Sequence, residues 1–228
     1  MGGRREGYPV RSLFSVKFQG LDEDGLPTFL NEKGNVTSDD INFQERENLD
    51  FLQYEGPTDP TIQGSLGNIF KYKGFALNVF MTYSFGNVVR LDPVFSATYS
   101  DLSSMTKEFK NRWVQPGDEK YTDVPVVLSY YQYQNNKQLR YGYNAYNYSD
   151  VRIAKGDFIR MKEISLSYDF PKAWIHPLNN LSLKLQATNL FLIYADKKLN
   201  GQDPEFFRSG GVSSPVPRQF TLTVKVGL

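Results

Sequence analysis

Apolar and polar residues alternate strictly in three stretches of the chain. From Glu163 to Phe170, Ile164, Leu166, Tyr168 and Phe170 fall on one side, and Glu163, Ser165, Ser167 and Asp169 on the other. Leu181, Leu183, Leu185 and Ala187 oppose Ser182, Lys184, Gln186 and Thr188. At the end of the chain, Phe220, Leu222, Val224, Val226 and Leu228 oppose Gln219, Thr221, Thr223 and Lys225. Successive side chains of a strand point to opposite faces, so each stretch predicts a β-strand with one apolar and one polar side. Residues 12–18 alternate in the same way. Residues 64–86 predict a hairpin turned at Lys73-Gly74, whose second arm puts Phe75, Leu77, Val79, Met81, Tyr83 and Phe85 on one side.

The predicted strands are therefore 12–18, 64–72, 75–86, 157–170, 181–191 and 218–228. Asn42–Leu52 and Ser103–Trp113 are candidate short helices. The links at Lys73-Gly74 and Pro171–Asn180 are short, and those at 19–63, 86–156 and 192–217 are long. If the strands run up and down in order, all short links lie at one end and all long ones at the other. A membrane barrel has that asymmetry, with short periplasmic turns and long extracellular loops. Tyr72, Phe75, Tyr83, Phe85, Tyr168 and Phe170 sit near strand ends, where aromatic girdles mark the two bilayer interfaces. Trp174, in a short link, reads as an interfacial anchor. Strict alternation also puts Arg160 and Lys162 on the apolar side, which a barrel tolerates only above the bilayer. The competing architecture is a soluble β-sandwich, such as a carbohydrate-binding module, whose two apolar faces pack on each other.

Composition narrows the chemistry. The 228 residues hold no Cys and one His, with a net charge of +1. This excludes a disulfide framework and thiol nucleophiles, and it gives no support for nucleic-acid binding or a multi-His metal site. No apolar run reaches the ~20 residues of a membrane helix, a test that barrel strands escape. The start of the chain has no apolar core of a signal peptide. No acid/base pair stands at a recognisable spacing, so an enzyme is not expected, and neither is a cofactor or metal. The acidic clusters Asp22-Glu23-Asp24 and Asp39-Asp40 read as turn charge, with weak calcium binding as the sharper alternative. Their spacing matches no EF-hand loop.

The candidate binding residues are aromatic: Trp113, Tyr130, Tyr131, Tyr133, Tyr141, Tyr143 and Tyr146, interleaved with Asn135, Asn136, Asn144 and Asn147. Rings that stack on sugar C–H faces, beside amides that pair with hydroxyls, suit a glycan. Packing of the loop itself and contact with a protein partner fit the same composition.

The order of the motifs has a resemblance. GSLGNIFKYKGFALNVFMTYSFGN (64–87), NRWVQPGDE (111–119), SDVRIAKGDFIRMKEISLSYDFP (149–171) and LKLQATNLFLIYADKKLNGQDPE (183–205), followed by the closing strand, are similar to the C-terminal end of SusC/RagA-type TonB-linked outer-membrane proteins. The segment 6–34 is similar to what precedes those strands. The resemblance implies an all-β fold, part of a transmembrane barrel of about 22 strands, in the outer membrane of a Gram-negative bacterium. It also implies import of glycans, oligosaccharides or peptides. A SusD-like surface lipoprotein and outer-membrane lipid are the implied partners, with the TonB complex engaged through an N-terminal part. Nothing in the chain resembles a plug domain. The expectation is thus a C-terminal barrel portion that does not transport by itself.

Overall fold

The structure, a computed structural model, describes residues 2–3, 5–42, 49–94, 105–207 and 215–227. The chain divides into two units, Met1–Asp59 with Val88–Ala154, and Pro60–Asn87 with Lys155–Leu228.

In the first unit, Gly2–Gly3 (β1), Ser12–Val16 (β2) and Leu52–Pro57 (β6) form one antiparallel sheet. Phe18–Leu21 (β3), Pro27–Leu30 (β4) and Val36–Thr37 (β5) form another. Val88–Arg90 (β9) pairs with Ile153–Lys155 (β10). The strand predicted at 12–18 does form, but it pairs with β6 and does not join the long up-and-down strands. The Tyr-rich stretch is helical, as Tyr130–Asn135 (α1) and Leu139–Asn147 (α2). Ser129 caps α1, in a reciprocal box with Gln132. Leu139, Gly142, Tyr143 and Tyr146 recur at helical spacing and are the buried stripe of α2. With Val16, Phe29, Ile41, Val94 and Val124 they close a core. The long connection 86–156 is thus not open loop over its described part, because it folds with the N-terminal segment around shared apolar side chains. Of the candidate helices, Ser103 and Ser104 lie outside the described residues and Lys107–Asn111 makes one 3₁₀ turn. Asn42–Leu52 falls largely outside the described residues, and its Leu52 opens β6.

The second unit is one antiparallel meander of Ile62–Tyr72 (β7), Phe75–Phe85 (β8), Phe158–Asp169 (β11), Asn180–Ala195 (β12) and Gln219–Gly227 (β13). Each strand pairs with its neighbour in chain order. Lys73 and Gly74 have φ of 45° and 85°, the backbone that a tight two-residue hairpin turn needs. Leu228 lies outside the described residues.

The register sorts the side chains. One face carries Leu66, Phe70, Leu77, Val79, Met81, Ile159, Met161, Ile164, Leu166, Leu183, Leu185, Leu222 and Val224. The other carries Ser65, Lys71, Asn78, Ser165, Ser167, Lys184, Gln186, Thr188, Thr221, Thr223 and Lys225. Strict alternation misplaces Arg160. A β-bulge sets Lys162 between Met161 (opposite Met81) and Glu163 (opposite Phe80), so the parity of β11 changes there. Arg160 consequently lies opposite Thr82 on the polar face, and Met161 takes the apolar side. One extra residue resolves the conflict that two cations on an oily face would have created.

One glycine tests the core of the first unit. A methyl group on Gly142 would strike the Ser38 carbonyl oxygen, because α2 runs close to that backbone. Helix propensity alone favours Ala at this position by about 1 kcal/mol. We expect Gly142→Ala instead to destabilise the unit by about 2 kcal/mol. The measurement is limited proteolysis of the whole chain, where cleavage within 86–156 should accelerate roughly thirtyfold.

Candidate functional site

Two surfaces stand out, the uncovered side of the meander and the aromatic region of the first unit.

The apolar side of the meander is exposed along its length, with Leu66, Leu77, Leu166, Leu183, Leu185, Leu222 and Val224 all open to solvent and Leu185 55% exposed. Patches of this size on a soluble surface mark contact with lipid or protein. Rings gather at both ends of that face. Phe75 and Tyr168 lie 4.4 Å apart between centroids at the short-turn end, with Phe170 4.8 Å from Tyr168. At the other end Tyr83 stacks on Phe85 at 5.7 Å, and Phe191 and Tyr194 occupy the same face of β12. Trp174 is 72% exposed in the short link after β11. Strands of this length, about 11 residues at a tilt near 45°, rise about 25 Å, the height of a barrel's apolar band.

The polar side carries connected charge. Glu163 accepts a hydrogen bond from Asn78 Nδ2 at 3.1 Å and lies 3.9 Å from Lys184 Nζ. Arg160 pairs with Asp203 and Glu205, and Lys162 with Glu205. The carboxylates that partner Arg160 and Lys162 come from the NGQDPE stretch. In the sequence the one signal of this pairing is the opposite charge of the two stretches, which lie more than forty positions apart.

In the first unit the candidate aromatics separate. Tyr130 and Tyr131 are 79% and 75% exposed on α1, and Tyr133 and Tyr141 are half-buried. Arg140 donates to the Tyr141 hydroxyl at 2.8 Å. Tyr143 and Tyr146, at 6% and 2% exposure, are core residues. Their rings are closed to a ligand because the apolar stripe of α2 needs them. Tyr143 spends its hydroxyl on the Val126 carbonyl at 2.5 Å. Trp113 is buried as well, packed over Gly25, where φ is +75° and a Cβ would collide with the indole. Its Nε1 donates to Glu119 at 3.2 Å. Hydrogen bonds to the Glu119 carboxyl, from backbone N–H groups first and from Trp113 next, hold it below the usual carboxylate range. The motif NRWVQPGDE thus closes on the turn at Asp22–Gly25, whose Asp22 carboxylate accepts the Asp24 and Leu26 N–H groups. This is turn charge at work. Asp39 and Asp40 are likewise taken up by Asn136 and Lys33. Among the described residues no acidic, His or Cys group has the makings of a metal site.

A cavity of about 520 Å³ opens beside these residues, lined by Glu108, Arg112, Asp118, Tyr121, Asp123 and Arg152 among others, with Tyr146 in its wall. Arg152 is buried and paired with Glu108. Of the aromatics singled out from sequence, only Tyr146 reaches this cavity.

An antiparallel meander with one continuous apolar face, ringed at both ends and backed by a polar face, is part of a transmembrane β-barrel. No protein-family model matches the chain. TonB-dependent receptor P39 of Formosa agariphila is 29% identical over 191 residues, which cover 77% of this chain and 17% of that protein. The RagAB peptide importer in its open-open state superposes over 97% of this chain and 23% of the other, with a TM-score of 0.65 and 20% identity. A second structure, of the RagAB peptide transporter, covers 94% and 22%, with a TM-score of 0.63 and 20% identity. At that identity the solved structures speak for the fold. The chain resembles the TonB-linked outer-membrane proteins of SusC/RagA type in sequence and in fold, as its motifs indicated. It spans about a sixth of the receptor's length and under a quarter of the solved chains. These relatives are receptors and transporters, not enzymes.

Burial raises the Tyr143 and Tyr146 phenols well above the ordinary value of 10.0. Both stay neutral in the folded chain, whereas the unfolded chain ionises them near 10.0. Their contribution to stability is therefore intact below about pH 10 and lost as pH rises beyond it. The measurement is an alkaline titration followed by phenolate absorbance. Tyr143 and Tyr146 should ionise only with unfolding, and Phe substitution at both should remove that late phase.

Proposed function

We propose that this chain is a barrel portion of an outer-membrane nutrient importer of the TonB-dependent kind. The observation that carries this is the apolar side of the meander, which no described residue of its own unit covers and which suits lipid along its full height. A sandwich would pack that side against a second sheet, and the described residues of the second unit form one sheet. On this reading the polar side lines the lumen, and the connections at the long-link end of the strands are extracellular. Six, or five, strands leave two unpaired edges that hydrocarbon does not tolerate. The chain therefore works as part of a larger closed barrel, energised through TonB, and does not transport alone. Cargo is a glycan, an oligosaccharide or a peptide, with a SusD-like lipoprotein as surface partner. Of the aromatic candidates, Tyr130 and Tyr131 are the ones with rings open to cargo or to that partner, with Tyr133 and Tyr141 at their margin.

The test is assembly in the outer membrane. Leu166→Arg places a charge on the exposed apolar side, between Leu77 and Leu185 of the neighbouring strands, where lipid contact costs up to about 2–4 kcal/mol, most at mid-depth. Thr223→Arg places the same charge on the polar side. The heat-modifiable outer-membrane form should be lost or sharply reduced in L166R and kept in T223R. Equal assembly of the two variants, or a soluble wild-type product, overturns the reading.

Tyr130→Ala with Tyr131→Ala should leave assembly intact and weaken binding at least about tenfold. Separate measurements with cargo and with the purified surface lipoprotein decide which of the two these rings contact.

A further inference from the structure

One segment on the polar side has no role in the import reading so far. After β12, Asp196–Phe207 makes two 3₁₀ turns, Lys197–Leu199 and Pro204–Phe206. The segment is firmly built. Asp196 accepts the N–H of Lys198 at 2.9 Å and of Lys155 at 2.8 Å, and Asp203 accepts that of Glu205 at 3.1 Å. Leu199 and Pro204 are buried. Asn200 and Gly201, with φ of 51° and 87°, turn the chain between them.

This unit is attached by charge to the polar face of β11. Arg160 Nη2 pairs with Asp203, and its Nε lies 2.9 Å from Glu205 Oε2. Lys162 Nζ reaches the same carboxylate at 3.0 Å. The side chains of Arg160 and Asp203 are only 7% and 10% exposed. Desolvation offsets much of the attraction in such a pair, so apolar contact would hold the segment about as firmly. What the charges add is one defined position, since a guanidinium meets carboxylates in a fixed geometry. The cost is concentrated as well. Removing one partner leaves buried charge uncompensated.

We propose that Asp196–Phe207 is a strap folded over the polar side of the sheet, positioned by Arg160, and that it limits the size of solute that reaches the face of β8 and β11. The proposal rests on the reading of that face as a water-filled lumen.

The 228 residues contain no Cys, so Phe80→Cys, opposite Glu163 on the polar face of β8 and 37% exposed, provides a unique reporter within them. It is placed in the full-length protein in the outer membrane of intact cells and labelled from outside with a small maleimide or with a bulky polyethylene-glycol maleimide. With the strap in place the small reagent reacts and the bulky one is slow. Adding Arg160→Ala, or separately Asp203→Asn with Glu205→Gln, should raise the bulky reagent's rate at least tenfold and leave the small reagent's rate unchanged. An unchanged bulky rate in an assembled, heat-modifiable variant overturns the strap. So does failure of both variants to assemble, because these residues would then serve folding alone. If F80C in the otherwise unaltered, assembled barrel reacts with neither reagent, the lumen reading itself fails.

Discussion

The apolar side chains on one face of the five-stranded meander have to leave water, and no described residue of their own unit covers them. Compact soluble domains meet this demand with a second layer. Here the strands are long and paired residue by residue except at the irregularities in β11 and β12 and at the two edges. That suits hydrocarbon, which satisfies no backbone group and accepts only strands that satisfy one another. Aromatic rings collect where such a face would end in interfacial water. The opposite face carries Ser167, Lys184, Thr188 and Thr223 instead.

Local irregularity serves the same demand. The bulge at Lys162 gives β11 one residue more than its partner β8 over the same span. It turns Arg160 to the polar side and lets Ile159 and Met161 continue the apolar face. The cations are then met by Asp203 and Glu205, more than forty positions along the chain. A straight strand of the same composition would have set a charge on the apolar face or an isoleucine on the polar one.

The first unit has a different logic. Its segments come from both sides of the first hairpin of the meander. They share one core, in which Tyr143 and Tyr146 supply ring area and hydroxyls for buried polar contact. Aromatic density there divides by helix face. The stripe at 139, 142, 143 and 146 faces the core, and Tyr130 and Tyr131 on α1 stay at the surface. Trp113 serves the local architecture by closing the NRWVQPGDE turn against Gly25.

Much of this was legible in the chain. The period of two fixes which residues share a face wherever a strand is regular, so the hairpin at Lys73-Gly74 and β8, β12 and β13 could be read directly. The helical spacing in α2 and the Ser129–Gln132 box were equally present, but the density of Tyr and Asn suggested open loop. The sequence alone thus determined the two-sided strands, the short and long links, and the family resemblance, because these depend on neighbours along the chain. Tertiary structure decided the rest: that Ser12–Val16 pairs with Leu52–Pro57, that one extra residue at Lys162 reverses the parity of Arg160, and which tyrosines are core. Each of these depends on which distant backbone or side chain arrives as partner, and alternation within a single strand carries no record of that.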